Sequence, residues 1–486
     1  MPGDGKTGAR GLRGRGLLVA ALGAGIALRI LLVWARPLWA DEVFTLEVAR
    51  RGPAGILAAL RLDSGPPLHY LLGWLLLLPS PAPSGWDAVV RIASLAASLA
   101  HVPLLLAVGR RLGAPEAGSR AAALWLLFPL SVWTASEGRA YALASLLVLL
   151  AFERGLAFRD EPGAGRGLAV AASTGAALLS HYLAGPALLG VACAVLPAAR
   201  RDRRLPLAGA YAAGALAFLP WLPVALSQPR ASMRWLELQP ETARLGAALA
   251  NLAFGAALPA VAGLAGAALL AAAALRRGRR VPSGTVLLVA AGSIALLEVG
   301  THSAVVPERT ALVLLPFAAL LLAEASAPAA LLSAGVSVVL LALALPAWLR
   351  TTPARQVAET LAEALRGGGD VVAAGLWGPE LSYRLERAGL PGRVVLFPEE
   401  VTRHPGWYDE KDLAPGSVAD EARRAVARTS DARFAVLKPG SVAGDALAEV
   451  ARSRGAKRVA ATPVLEVWAF PRGPGPAGRG VRGGER

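Results

Sequence analysis

Residues 166–204 read RGLAVAASTGAALLSHYLAGPALLGVACAVLPAARRDRR. Arg166 stands at one end and Arg200, Arg201, Arg203 and Arg204 at the other, with no Lys, Arg, Asp or Glu from 167 to 199. About 20 apolar residues suffice for a helix to cross a bilayer, so this run is long enough for two crossings, 167–183 and 184–199. Short loops rich in Lys and Arg stay on the cytoplasmic side. Two crossings return the chain to the side it left, which puts both arginine clusters there together. The pattern is that of a membrane hairpin.

Working outward gives nine further spans: 17–35, 90–108, 121–135, 140–157, 205–224, 257–275, 283–301, 310–325 and 328–348. With eleven crossings the basic clusters Lys6/Arg10/Arg13/Arg15, Arg110/Arg111/Arg120, Arg154/Arg159/Arg166, Arg200/Arg201/Arg203/Arg204 and Arg276/Arg277/Arg279/Arg280 all face the cytoplasm. The N-terminus is then inside and the chain after 350 outside. Only the turn at 322–330 lacks a basic residue of its own. A basic segment before the first span also opens a secretory signal, but no clean small-residue cleavage site follows, so the first helix is expected to stay. Arg29, within it, is expected to snorkel.

Composition agrees. Of 486 residues 55% are hydrophobic and 17% charged, against about 25% charged in soluble domains. Cys193 is the single cysteine, so no intrachain disulfide forms. The net charge of +16 would suit a nucleic-acid binder, but its distribution excludes one. Residues 1–350 hold 30 Lys/Arg and 17 Asp/Glu, whereas 351–486 hold 20 and 17. The basic excess lies between apolar runs and is a topology signal.

The fold class is thus a polytopic α-helical membrane protein with a small extracytoplasmic α/β domain at its C-terminus. The division runs as a basic cytoplasmic segment 1–16, a transmembrane domain 17–350, the α/β domain 351–470 and a Gly/Pro/Arg-rich tail 471–486 expected to be disordered. In the α/β part, helical stretches at 353–366, 378–389, 418–429 and 443–454 alternate with strand-like 370–375, 394–397, 434–438, 458–462 and 464–470. Between the first two spans a long outer loop, 36–87, contains two apolar pieces unsuited to crossing. Residues 42–61 mix apolar and charged positions, as an interfacial helix does. Pro66–Pro79 is too short, and counting it would invert every later basic cluster. A loop of this length is commonly functional.

Ionisable residues at or inside membrane spans are functional candidates by default. The outer ends collect Asp41-Glu42, Asp63 and His69 around Pro66-Pro67, Glu137-Gly138-Arg139-Ala140-Tyr141, His181-Tyr182, and His302 with Glu308-Arg309. Each also has a plainer reading. Adjacent acids after a span are often a solvated helix end, Glu137 and Arg139 fit a local ion pair, and His181 fits a packed histidine. Glu298, inside a span, receives no role. Asp41 and Glu137 are possible ligands of a divalent metal, although no tight spacing such as HExxH occurs; no other cofactor is indicated.

The ordered set WADE (39–42), DSGPPLHYLL (63–72), SEGRAYAL (136–143), SHYLA (180–184) and ERTALVLLPF (308–317) resembles the GT-C glycosyltransferases. The branch it is most similar to is the protein-mannosyltransferase and aminoarabinose-transferase superfamily. The likeness covers about 17–350, and a trailing outer α/β domain is also typical. It implies an inverting transfer of a hexose or pentose from a polyprenyl-phosphate donor to a glycan, lipid or protein acceptor on the outer face of the bacterial inner membrane. By the resemblance Asp41 is the first-loop catalytic carboxylate with Glu42 beside it, and Glu137 is the second-loop acid. Arg139, Tyr141, His181 and Arg309 then serve the donor and its phosphate, with Asp63 and His69. Two departures stand out. The family's His before Pro-Pro is Gly65 here, so any substrate contact of that His is absent or falls to His69, and the aromatic expected after Arg309 is Thr310. A flippase or transporter for lipid-linked sugars is the rival, but internal repeats are missing and the acids gather at one end instead of the midplane. A family member that binds the carrier without turnover is another. A ligase or polymerase of lipid-linked glycans would instead carry a large arginine-bearing loop late in the chain.

Overall fold

The computed structural model describes residues 5–79, 85–229, 241–256, 260–277, 282–301, 308–406, 408, 410, 413–429 and 431–471. The chain divides into two compact units, Met1–Arg350 and Thr351–Arg486.

The first unit is helical: α1 (Gly5–Ala35), α2 (Ala40–Arg50), α3 (Gly52–Leu60), α4 (Leu68–Leu77), α5 (Trp86–Arg111), α6 (Pro115–Leu127), α7 (Pro129–Ala135), α8 (Tyr141–Asp160), α9 (Ala164–Leu178), α10 (Ala184–Val195), α11 (Arg201–Leu216), α12 (Leu222–Ser227), α13 (Glu241–Phe254), α14 (Ala260–Arg277), α15 (Pro282–Thr301), α16 (Leu315–Ala325) and α17 (Ala327–Trp348). Its helices are apolar outside as well as inside. Leu168, Leu205, Leu275, Leu288 and Leu343 are each more than 70% exposed, which a lipid surround accepts and water does not. This is a polytopic membrane protein.

Several apolar runs are interrupted, and prolines explain the interruptions. Among the described residues, α5, α8 and the helix beginning at Ala327 each carry an apolar window long enough to cross a membrane. Val19–Ala35 and α2 pass only as a pair, bent by 74°; Pro37 biases Arg36 away from the helical region. The run 121–135 breaks at Pro129, 205–224 leaves the helix after Leu216, and 310–325 opens as a 3-10 helix, Glu308–Val313. Helix α13 lies in a stretch that the hydropathy reading left unassigned. The outer loop contains not one interfacial helix over 42–61 but two, α2 and α3, divided at Gly52 with φ +69°.

Close packing relies on small residues. A Cβ on Gly109 would lie 2.6 Å from the Gly118 Cα, so α5 and α6 touch backbone to backbone. Around this contact Trp125, Phe128, Phe152 and Phe317 are fully buried, and His101 stacks on Trp125 at 3.8 Å.

At one end of the bundle the arginine clusters converge. Arg111 pairs with Glu153 at 2.6 Å and with Asp160 at 3.3 Å. Arg159 reaches the Arg111 carbonyl, and Arg203 reaches the carbonyls of Arg159 and Asp160. The turn after α16, which lacks a basic residue of its own, receives one from α6: Arg120 donates to the Ala323 carbonyl at 3.0 and 3.2 Å.

Arg29 does not snorkel. It is 0% exposed, and its guanidinium donates to the carbonyls of Gly25, Trp125 and Leu126 and to the hydroxyls of Ser98 and Ser131. The demand comes from α6. Pro129 has no N–H for the Trp125 carbonyl, and the Leu130 N–H turns to the Gly255 carbonyl instead of Leu126. Arg29 supplies the two donors that the helix break removes.

The second unit is a doubly wound α/β layer. Helices α18 (Pro353–Leu365), α19 (Trp377–Arg387), α20 (Glu399–Arg403), α21 (Pro415–Ala427) and α22 (Val442–Ser453) accompany β1 (Asp370–Ala374), β2 (Val394–Phe397), β3 (Ala432–Leu437), β4 (Lys457–Ala461) and β5 (Glu466–Ala469). The strand order is β2-β1-β3-β5-β4, with β1 parallel to β2 and β3, and β5 antiparallel to β3 and β4. Alternation along β1 feeds both faces. Val371 and Ala373 pack with α18 and α19, while Val372 and Ala374 pack with α21 and α22. The tail beyond Pro471 lies outside the described residues.

Candidate active site

The corner between α1 and α2 is tied down by Glu42, in the first turn of α2. Its carboxylate is 0% exposed and takes both forks of Arg91 at 2.7 Å, one on each oxygen. Oε2 also meets Arg36 Nη2 at 2.9 Å and the Trp39 N–H at 3.4 Å, and Oε1 accepts the Gly138 N–H at 2.8 Å. Arg91 in turn donates to the carbonyls of Val33, Arg36 and Pro37, the end of α1 and its exit. Arg36 donates to the Ser136 carbonyl at 2.6 Å and lies over the Trp133 ring at 4.0 Å. Gly138 lies close on α5: a Cβ there would meet Val90 side-chain and backbone atoms at 3.0–3.2 Å, so any larger residue would push Val90 aside by a few tenths of an ångström. One carboxylate with five donors has no lone pair left for an incoming proton. Glu137 is also 0% exposed and lies within electrostatic reach of Arg91.

The neighbours of this knot turn the other way. Asp41 is half-buried, and its carbonyl accepts from the Thr45 hydroxyl at 3.1 Å. Arg139, also half-buried, sits among Tyr70, Tyr141, Asp41 and Asp63. Burial works against its charge, yet the oxygens around it hold the guanidinium well above the usual arginine range. Arg139 Nη1 lies 3.5 Å from the Tyr70 hydroxyl, which lies 3.4 Å from Asp63 Oδ2. Tyr70 also stands edge-on to Phe44, and burial pushes its phenol up. His69 is 2% exposed, and neither ring nitrogen makes a well-formed hydrogen bond to a described residue. Burial pushes His69 down to about 4, opposed in part by the nearby Gly138 backbone and aided by the charge of Arg139, so its imidazole is neutral at pH 7.

A third segment closes the group. The Tyr141 and His181 rings are 5.5 Å apart, and His181 Nδ1 accepts the Leu183 N–H at 3.2 Å, which leaves the proton of the neutral ring on Nε2. Tyr182 donates to Gln228 Oε1 at 2.6 Å and accepts from Trp221 Nε1 at 3.0 Å. Gln228 Nε2 then holds the carbonyls of Leu60 and Gly65, while the Leu68 N–H bonds the Leu179 carbonyl. The Asp63–Pro67 turn is thereby clamped against the chain beside His181.

Asp41, Asp63, His69, Arg139, Tyr141 and His181, distant in sequence, thus come together, while Glu42 and Glu137 lie in the buried knot beside them. Sequence reasoning passed over Arg91, Arg36, Tyr70 and Gln228. Arg91 carried a readable signal, being the only charged residue in the span 90–108. His302 and the side chains of Glu308 and Arg309 fall outside the described residues. Among the described residues no three His, Cys, Asp or Glu side chains group as a metal site.

No protein-family model matches the sequence, and no curated protein matches it. Solved structures do. ArnT from Cupriavidus metallidurans in the apo state is similar over 94% of this chain and 98% of its own, at 15% identity and a TM-score of 0.63. The same protein bound to undecaprenyl phosphate gives 93% and 98%, 15% identity and 0.61. The oligosaccharyltransferase AglB from Archaeoglobus fulgidus, in complex with an inhibitory peptide and a dolichol-phosphate, gives 88% and 70%, 13% identity and 0.53. The chain has the GT-C membrane fold, which is the fold that its five sequence motifs indicated.

Proposed function

We propose that this protein is a membrane glycosyltransferase that moves a sugar from a polyprenyl phosphate to an acceptor hydroxyl, with inversion. One observation carries the reading: a half-buried carboxylate, Asp41, lies within electrostatic reach of a guanidinium, Arg139, that is held charged at the end of an apolar helical bundle. The solved structures it resembles include ArnT with undecaprenyl phosphate and AglB with a dolichol-phosphate, both lipid phosphates.

In the proposed reaction the acceptor oxygen attacks the anomeric carbon as the bond from that carbon to the phosphate oxygen breaks. The acceptor proton passes to Asp41 as general base, and the polyprenyl phosphate leaves with its new charge held by Arg139, joined by Arg309. A bidentate arginine suits that charge. Direct displacement inverts the anomeric centre and needs no sugar–enzyme intermediate. Asp63, Tyr141, His181 and neutral His69 offer hydrogen bonds to the sugar. Glu42, with its acceptor capacity filled, and Glu137, inside the knot, support the site. The prenyl tail stays in lipid beside the exposed leucines. In this reading the site and the α/β unit face away from the cytoplasm, across a bacterial inner membrane.

The test compares the lipid-linked sugars and envelope glycans of membranes that contain the wild-type protein with those that contain Asp41→Asn. The proposal expects one glycan to lose a sugar and the matching sugar-charged carrier to accumulate with the variant. Identical profiles in cells whose wild-type profile depends on the protein would refute it.

A further inference from the structure

We propose that Glu42, gripped by Arg91, is a positioning residue that sets the distance between the base and the phosphate-holding arginine; the inference rests on the function proposed above. Glu42 follows Asp41 directly on α2, and its Oε1 accepts the N–H of Gly138, the residue directly before Arg139. One carboxylate therefore joins the two backbone segments that carry the two reacting groups, 96 residues apart in sequence. Each segment is held from a second direction as well. Arg36 links Glu42 to the Ser136 carbonyl, and Arg91 links it to the last carbonyls of α1. Ser94, one turn along α5 from Arg91, donates to the Arg139 carbonyl at 3.0 Å.

The buried side chains leave little slack. Glu42 and Arg91 are 0% exposed, so bulk solvent does not reach their hydrogen bonds. The loop also lies close on α5, where a Cβ at 138 would come within 3.0–3.2 Å of Val90. A shift of about 1 Å in a reacting group can cost about 100-fold in rate, and a ruler of this kind acts on turnover more than on carrier affinity.

The experiment uses the full-length protein in detergent micelles, with an undecaprenyl-phosphate-linked pentose or hexose as donor and undecaprenyl phosphate as the binding probe. Asp41→Asn, Arg91→Lys, Glu42→Asp and the double variant of Asp41 and Arg91 are compared per molecule of folded protein. Arg91→Lys keeps the charge but loses the fork, and Glu42→Asp removes one methylene. The expected result is that kcat falls about 10- to 100-fold in Arg91→Lys and in Glu42→Asp, and about 100- to 10,000-fold in Asp41→Asn, while undecaprenyl phosphate affinity changes less than about threefold. Arg91→Lys should add little on top of Asp41→Asn, because both act through the same base. A merely structural role would lower the yield of folded protein and leave kcat per folded molecule unchanged, which overturns the inference. Full additivity in the double variant, or failure of both Arg91→Lys and Glu42→Asp to fold, overturns it too. If Asp41→Asn itself keeps full activity, the function proposed above fails instead.

Discussion

Replacing Arg29 by methionine removes the donors that bridge the break between α6 and α7. The side chain now makes five hydrogen bonds and has no exposed surface. Burying a guanidinium costs several kcal/mol, and five charge-assisted bonds at about 1.5–3 kcal/mol each offset that. In the variant the Leu126 carbonyl is left without its donor, because the Leu130 N–H is already spent on Gly255. The Trp125 carbonyl keeps only the Ser131 hydroxyl. An orphaned buried carbonyl costs about 1–3 kcal/mol, and lipid offers no water to repair it. The expected loss is about 3 kcal/mol. Arg29→Lys should recover part of it, since an ammonium reaches fewer of the five acceptors. Thermal unfolding of the purified variants in detergent measures this. If Arg29→Met is as stable as wild type, the argument that Arg29 repairs the helix break is refuted.

Three other outcomes follow from the same geometry. His69 has its pKa lowered by folding from 6.5 to about 4. Its contribution to stability is therefore intact above about pH 6.5, and about 3 kcal/mol is lost as pH falls toward 4; His69→Gln should flatten that limb of a stability–pH curve. Arg139→Lys keeps the charge but loses the fork, and should raise the donor KM about 10-fold in a transfer assay. Gly109→Leu drives a side chain into the Gly118 backbone and should sharply reduce the folded fraction seen by size-exclusion chromatography, whereas Gly113→Leu at an open turn should not act through packing.

Much of this was legible in the sequence because hydrophobic length and arginine placement are local signals. The hairpin at 166–204, the alternation in the α/β unit and the addresses of Asp41, Arg139 and His181 needed no partner to be read. The difference in setting between half-buried Asp41 and fully buried Glu42 was not legible. Three of the five donors that occupy Glu42, from Arg91 and Gly138, lie 49 and 96 residues away, and nothing in WADE says which acid turns inward. Arg29 misled for a similar reason: two of its acceptors, the Trp125 and Leu126 carbonyls, are free because Pro129, at the start of α7, and Gly255, just after α13, break the ladder of α6. The clamp of Gln228 on the 63–67 turn lies in a stretch without hydropathy contrast.

The central claim is that Asp41 takes the acceptor proton while a sugar leaves a polyprenyl phosphate. The most direct measurement is sugar transfer from an undecaprenyl-phosphate-linked donor in membrane fractions that carry equal amounts of folded wild-type protein and Asp41→Asn. The account predicts that transfer, and the matching release of undecaprenyl phosphate, falls about 100- to 10,000-fold in the variant. Transfer at the wild-type rate by Asp41→Asn would contradict it.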